Sequence, residues 1–176
     1  MLDLWPALSI AVHYGGPQEL DHLTSEDEDN IMDALSRPHR VHSINLTITS
    51  ALVEKLAAIN GTFPELEKLV LLSRESTMLT LPSTFWYSSC LRCLHLTGVT
   101  STSLKLARLL RSSTNLVDLQ LHEVLNPRYF SPKSLTIVLS RMSQLRSLSL
   151  HFLYRRLSRP ASIDGGTHCP SRYLSP

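Results

Sequence analysis

An α/β solenoid, a curved parallel sheet with helices or irregular segments on its convex side, is predicted by three observations. The pattern L-x-x-L-x-L, with other aliphatic residues allowed, recurs as Val41, Ile44, Leu46; Leu66, Leu69, Leu71; Leu91, Leu94, Leu96; Leu116, Leu119, Leu121; and Leu145, Leu148, Leu150. The first positions fall at 41, 66, 91, 116 and 145, so the steps are 25, 25, 25 and 29. Between several triplets the apolar residues change to helical spacing.

A step of about 20 to 29 residues carrying this pattern is the leucine-rich-repeat signature, each unit supplying one short strand and one return segment. Burying an aliphatic side chain stabilises by roughly 1.5 to 3 kcal/mol, whereas fixing one residue's backbone costs about 1 to 2 kcal/mol. A lone unit therefore does not fold, and stability accrues through the interfaces between stacked neighbours. Three regions follow: residues 1–40, a capping strand and an acidic-capped helix; residues 41–153, the repeats; and residues 154–176, a disordered basic tail.

Trp5, Leu8 and Ile10 approximate the pattern once more, which predicts a first strand or cap over residues 4–12. Tyr14-Gly15-Gly16-Pro17 turns the chain. Residues 25–36 read as a helix, with Ser25 as N-cap, Glu28 completing an S-x-x-E capping box, and Ile31, Met32 and Leu35 on one face. Its acidic first turn, SEDEDN, suits the positive end of the helix dipole.

After a strand at 41–47, Thr49 or Ser50 caps a helix with Leu52, Leu56 and Ile59 on one face, stopped by Gly61. Pro82 predicts an irregular connection in the next unit, with Phe85 and Trp86 packed under it. Residues 102–112 form a third helix with Leu106, Leu109 and Leu110 inward. A fourth starts at Ser131-Pro132 and carries Leu135, Val138, Leu139 and Met142 at helical spacing. The asparagine or cysteine usual three residues after the last leucine is replaced by Thr49, Arg74, Val99, Val124 and Leu153, so these turns must satisfy their backbone differently.

Composition narrows the function classes. The net charge is +2, with eight acidic and two basic residues in 1–40 against one acidic and six basic in 141–176. A solvated tail is the reading of that basic end, and no nucleic-acid partner is expected. Three cysteines, unevenly placed, argue against a disulfide framework and for a cytoplasmic or nuclear setting. No run approaches the length of a membrane-spanning helix, and no membrane partner is expected.

On LWPALSIAVHYGG, SEDEDNIMDAL, LEKLVLLSR, LTLPSTF, LRCLHLT, NLVDLQLHE, YFSP and QLRSLSLHF, spread over residues 4–153, the chain resembles the leucine-rich-repeat region of divergent F-box-like proteins of mushroom-forming fungi. The resemblance implies a ubiquitin-ligase adaptor whose repeats recognise a protein target while an N-terminal F-box engages the Skp adaptor of a cullin ligase. No F-box-like segment precedes Trp5 and the repeat stops after Tyr154, so Skp is expected as a partner only of a longer form that carries an F-box. The alternative expectation is a truncated or fragmentary gene product with no independent function.

Alternation along each strand sends the residues between the leucines to the opposite, concave face. Three cross-strand rows follow: Ser43, Lys68, Cys93, Asp118, Ser147; Asn45, Val70, His95, Gln120, Ser149; and Thr47, Leu72, Thr97, His122, His151. The mixed polar strip centred on Lys68, Val70, Leu72, His95, Asp118, Gln120 and His122, with Val70 and Leu72 exposed, suits recognition of a protein or peptide. His122 beside His151, with Asp118 near them, predicts a face that changes below about pH 6, because neighbouring imidazoles resist joint protonation.

Catalytic, cofactor and metal sites are not expected. An open sheet face offers no enclosing pocket, and no Gly-rich phosphate loop, HExxH or GxSxG occurs. Cys90, Cys93 and His95 lie along one strand whose alternate side chains point to opposite faces, and no second cysteine pair exists to complete four convergent ligands.

Overall fold

The computed structural model describes residues 8–15, 24–59, 61–73, 79–80, 85, 88–100, 103–125 and 132–153. Among the described residues, eight strands and four α-helices follow in order as β1 (Ile10–Tyr14), α1 (Ser25–Leu35), β2 (Val41–Ile48), α2 (Ser50–Ala57), β3 (Lys68–Ser73), β4 (Leu79–Thr80), β5 (Cys93–Thr97), β6 (Val99–Thr100), α3 (Ser103–Ser112), β7 (Asp118–Leu125), α4 (Pro132–Leu139) and β8 (Ser147–Leu153), with a short 3-10 helix at Pro38–Arg40. β1, β2, β3, β5, β7 and β8 form one sheet in that order with every pair parallel, and β4 and β6 form a separate parallel pair. The architecture is α/β.

Sequence order is spatial order because each connection returns the chain to the same end of the next strand. The 25-residue step keeps the register level: Leu69 sits opposite Leu94 and Leu94 opposite Leu119, and Leu71, Leu96 and Leu121 form a second row. Ile44, Leu46, Leu69, Leu71, Leu94, Leu96, Leu119 and Leu121 are all buried in one cluster with Leu52 and Leu56 of α2 and Leu106, Leu109 and Leu110 of α3. Just before β3, β5 and β7 one carbonyl serves two donors at the start of the next strand of the sheet. Glu67 accepts from the N–H groups of Arg92 and Cys93, Arg92 from Val117 and Asp118, and Val117 from Arg146 and Ser147.

The helices largely sit where their apolar spacing places them, and three ends differ. α4 stops at Leu139, so Met142 is buried beyond it. Thr24, not Ser25, caps α1. Its hydroxyl accepts from Asp27 N–H at 3.2 Å, and the Asp27 carboxylate accepts from Thr24 N–H at 3.1 Å and from Thr24 Oγ1 at 2.6 Å. Thr24-x-x-Asp27 and Ser25-x-x-Glu28 both fit a capping box, and Thr24 takes the role because it holds the extended backbone that an N-cap requires, φ −76° and ψ 160°. Thr49 caps α2 by accepting from Leu52 N–H. That helix ends at Ala57 on an Ala58 cap, so Ile59 is buried beyond the helix and Gly61, at φ +131°, lies past the stop.

The first strand also differs from its expected place. It runs Ile10–Tyr14 with Val12 opposite Ile44 and Tyr14 opposite Leu46, four residues beyond the Leu8 and Ile10 assigned to those positions. Leu8 is 60% exposed, and Ile10, Val12 and Tyr14 alternate toward the core instead. Phe85 is buried, its ring stacked on Phe63 at 5.2 Å. Trp5, Gly16, Pro17, Arg74, Pro82, Trp86, Ser131 and the tail 154–176 lie outside the described residues.

Ahead of β5 and β7, buried serine hydroxyls tie one unit to the last: Ser88 Oγ donates to the Leu66 carbonyl at 2.9 Å and Ser113 Oγ to the Ser88 carbonyl at 3.2 Å. The turn after β5 needs glycine. Gly98 has φ +67°, and a Cβ there would lie 2.8 Å from the Ser73 carbonyl oxygen. The 29-residue step before β8 leaves its register level with β7 until Glu123, where φ is +53° and the ladder slips by one.

Burial predicts an asymmetry along the stack. Leu119 is 0% exposed and its cross-strand neighbour Leu148 is 47% exposed. Leu119→Ala should therefore cost about 3 to 5 kcal/mol, and Leu148→Ala less than about 1 kcal/mol. Urea-unfolding midpoints of the two variants measure the contrast, and equal losses would contradict it.

Candidate functional site

The outward residues of the sheet fall into rows that the register makes explicit. Ser43, Lys68, Cys93, Asp118 and Ser147 are consecutive partners, as are Asn45, Val70, His95, Gln120 and Ser149, and Thr47, Leu72, Thr97, His122 and His151. Lys68, Val70 and Leu72 lie on β3, His95 on β5, and Asp118, Gln120 and His122 on β7. Lys68 is exposed. Val70 and Leu72 are half-buried rather than exposed, because neighbouring strands flank both.

The polar groups do not stand apart. Asp118 Oδ2 lies 2.6 Å from His95 Nε2, and Cys93 Sγ lies 3.4 Å from that same nitrogen. Gln120 Nε2 donates to Asp118 Oδ1 at 3.4 Å, and Ser147 also bonds the Asp118 side chain. His95 and Asp118 are 26% and 29% exposed, enough shelter for these contacts to hold against water. On the flanks, Asn45 Nδ2 meets His13 Nδ1 at 3.0 Å, and His122 Nε2 meets Ser149 Oγ at 2.7 Å.

This arrangement differs from the expected one. Asp118 joins His95 and not the His122 and His151 pair. Those two histidines are register partners, but His122 turns its Nε2 to Ser149. Cys93 and His95 are two residues apart and so share one face, which removes the geometric objection to their acting together. The signal was present in the sequence: adding one 25-residue step to Cys93 gives Asp118.

Burial alone pushes the Asp118 carboxyl up. Hydrogen bonds from His95, Ser147 and Gln120, with electrostatic attraction to the His95 ring, outweigh it and hold the carboxyl below its ordinary value. The Cys93 thiol is pushed up, first by burial and then by the Asp118 charge, against a smaller downward pull from Lys68. A thiol–imidazole–carboxylate relay needs its thiol and carboxylate on opposite ring nitrogens. Here both converge on Nε2, so the ring cannot take the thiol's proton while it donates to Asp118, and Cys93 is not an activated nucleophile.

The lowered Asp118 carboxyl has a definite pH signature. A folded pKa below the unfolded one gives stability that is complete above the unfolded value of about 3.9 and is lost as pH falls through the folded value. Asp118→Asn should thus be less stable than the parent chain at pH 7, and the deficit should close below about pH 4. Urea midpoints of both chains between pH 7 and pH 3 test this, and a deficit that stays constant over that range contradicts it. In comparisons with known proteins, no family model, no curated protein and no solved structure matches the chain.

Proposed function

We propose that this chain is a protein–protein interaction module, a leucine-rich-repeat solenoid whose open sheet face is the concave recognition surface, and that it serves as the substrate-recognition region of an F-box-like ubiquitin-ligase adaptor. The observation that carries the binding reading is the face itself. Six parallel strands bring rows of mixed polar and apolar side chains into one continuous surface, and repeat stacks use such a surface for extended contact with a partner. Val70 and Leu72 supply apolar contact on β3, while His95, Asp118, Gln120 and His122 supply oriented polar groups.

The ligase role rests on the resemblance of the repeat segments to F-box-like proteins. It adds that Skp and cullin accompany the chain only in a longer form bearing an F-box. The target is a cytoplasmic or nuclear protein in this reading.

Affinity capture with quantitative mass spectrometry tests the proposal. The parent chain should retain a specific protein, and His95→Ala with Gln120→Ala should weaken that complex by roughly 1 to 3 kcal/mol. Lys55→Ala and Arg108→Ala on the helices should leave it unchanged. Capture that survives the face variants and fails with the helix variants would overturn the binding surface. Capture without Skp by an F-box-bearing form would overturn the ligase role.

A further inference from the structure

Cys93, His95 and Asp118 offer one ligand atom each, and the three atoms lie within 4.8 Å of one another on β5 and β7. We infer that these three residues form a binding site for one zinc-class divalent ion on the sheet face, with the remaining coordination position toward solvent. The donor set selects the ion: thiolate, imidazole and carboxylate together suit Zn2+ and Co2+, whereas Mg2+ and Ca2+ take oxygen ligands. Three protein ligands leave a fourth position open to water, unlike closed structural zinc sites with four protein ligands.

The geometry is close to what the ion requires. Zinc bonds of about 2.3 Å to sulfur and about 2.0 Å to nitrogen and oxygen put sulfur and nitrogen about 3.5 Å apart across a tetrahedron edge, and nitrogen and oxygen about 3.3 Å apart. Cys93 Sγ already stands 3.4 Å from His95 Nε2. Asp118 Oδ2, at 2.6 Å, must withdraw from Nε2 by about 0.7 Å to reach that edge. The convergence of sulfur and oxygen on the same ring nitrogen, which rules out a proton relay, is what a shared ion demands.

Supporting groups are in place. Gln120 bonds the Asp118 oxygen that His95 does not, Oδ1, and Ser147 also bonds this side chain, as the partners of a ligating carboxylate do. Lys68, the register partner of Cys93, is exposed and lies outside the ligand set.

Cobalt titration of the full chain under reducing conditions tests the site. One equivalent of Co2+ should produce a thiolate-to-cobalt charge-transfer band in the near ultraviolet, and Zn2+ should displace it. Cys93→Ser should abolish the band, whereas Cys90→Ser and Cys169→Ser should keep it. His95→Ala and Asp118→Asn should weaken binding at least tenfold, and Gln120→Ala by about tenfold, each with circular dichroism unchanged. A missing band, a band that survives Cys93→Ser, or unchanged affinity in Asp118→Asn overturns the site. The Asp118→Asn measurement decides the matter should Cys93→Ser misfold, because that side chain is partly exposed and its shape is conserved.

Discussion

Level register between parallel strands is the constraint on which everything else in this molecule depends. One face of the sheet is buried, so a slip of one residue would turn Leu69, Leu94 and Leu119 to solvent and drive Lys68, Cys93 and Asp118 into the core. Two features resist that slip together. The buried rows fix which residues face inward, and the shared carbonyls of Glu67, Arg92 and Val117 fix where each following strand begins. Irregularity is confined to places where the ladder can absorb it. His42 is the extra residue where β1 meets β2, and Glu123 is the extra residue where β7 meets β8.

The same register explains which small residues the fold cannot exchange. Gly15 and Gly98 stand just past β1 and β5, where each backbone closes on its neighbour. A Cβ on Gly15 would lie 2.3 Å from Thr47 Oγ1, and both glycines hold positive φ. Ser88 and Ser113 stand before β5 and β7, where a hydroxyl is small enough to be fully enclosed and still reach a carbonyl of the preceding unit. Enclosed hydroxyls with partners avoid the penalty of an unsatisfied polar group, so the approaches to β5 and β7 are tied to the preceding unit at no such cost.

Much of this could be read from the chain, because periodicity is a long-range signal. The triplets at 66, 91 and 116 set strand order, register and inward face at once, and the cross-strand rows are a matter of adding 25. What could not be read was local. Trp5, Leu8 and Ile10 imitate the triplet, but β2 has Ile44 and Leu46 to cover, and Val12 and Tyr14 cover them by simple alternation. Thr24 and Ser25 offer equal capping chemistry, and only the backbone conformation separates them. In the site, the rows were legible but the rotamers were not. The sequence aligned Cys93 with Asp118, yet whether Asp118 turns to His95 or toward His122 depends on which donors reach it, and Gln120, Ser147 and His95 together decide that.

The outward face is therefore not a neutral remainder of the fold. Side chains there are squeezed between strands about 4.8 Å apart, so polar groups lose much of their water and must satisfy one another sideways. On β5, β7 and β8 they do so, through Asp118 with His95 and Gln120 and through His122 with Ser149, while β3 offers the apolar pair Val70 and Leu72 in the same rows. Covering a surface of this kind strands few unpaired polar atoms, because the bonds that would be lost to water are already made within the protein. Desolvation, the usual opponent of polar contact, is thus partly met during folding.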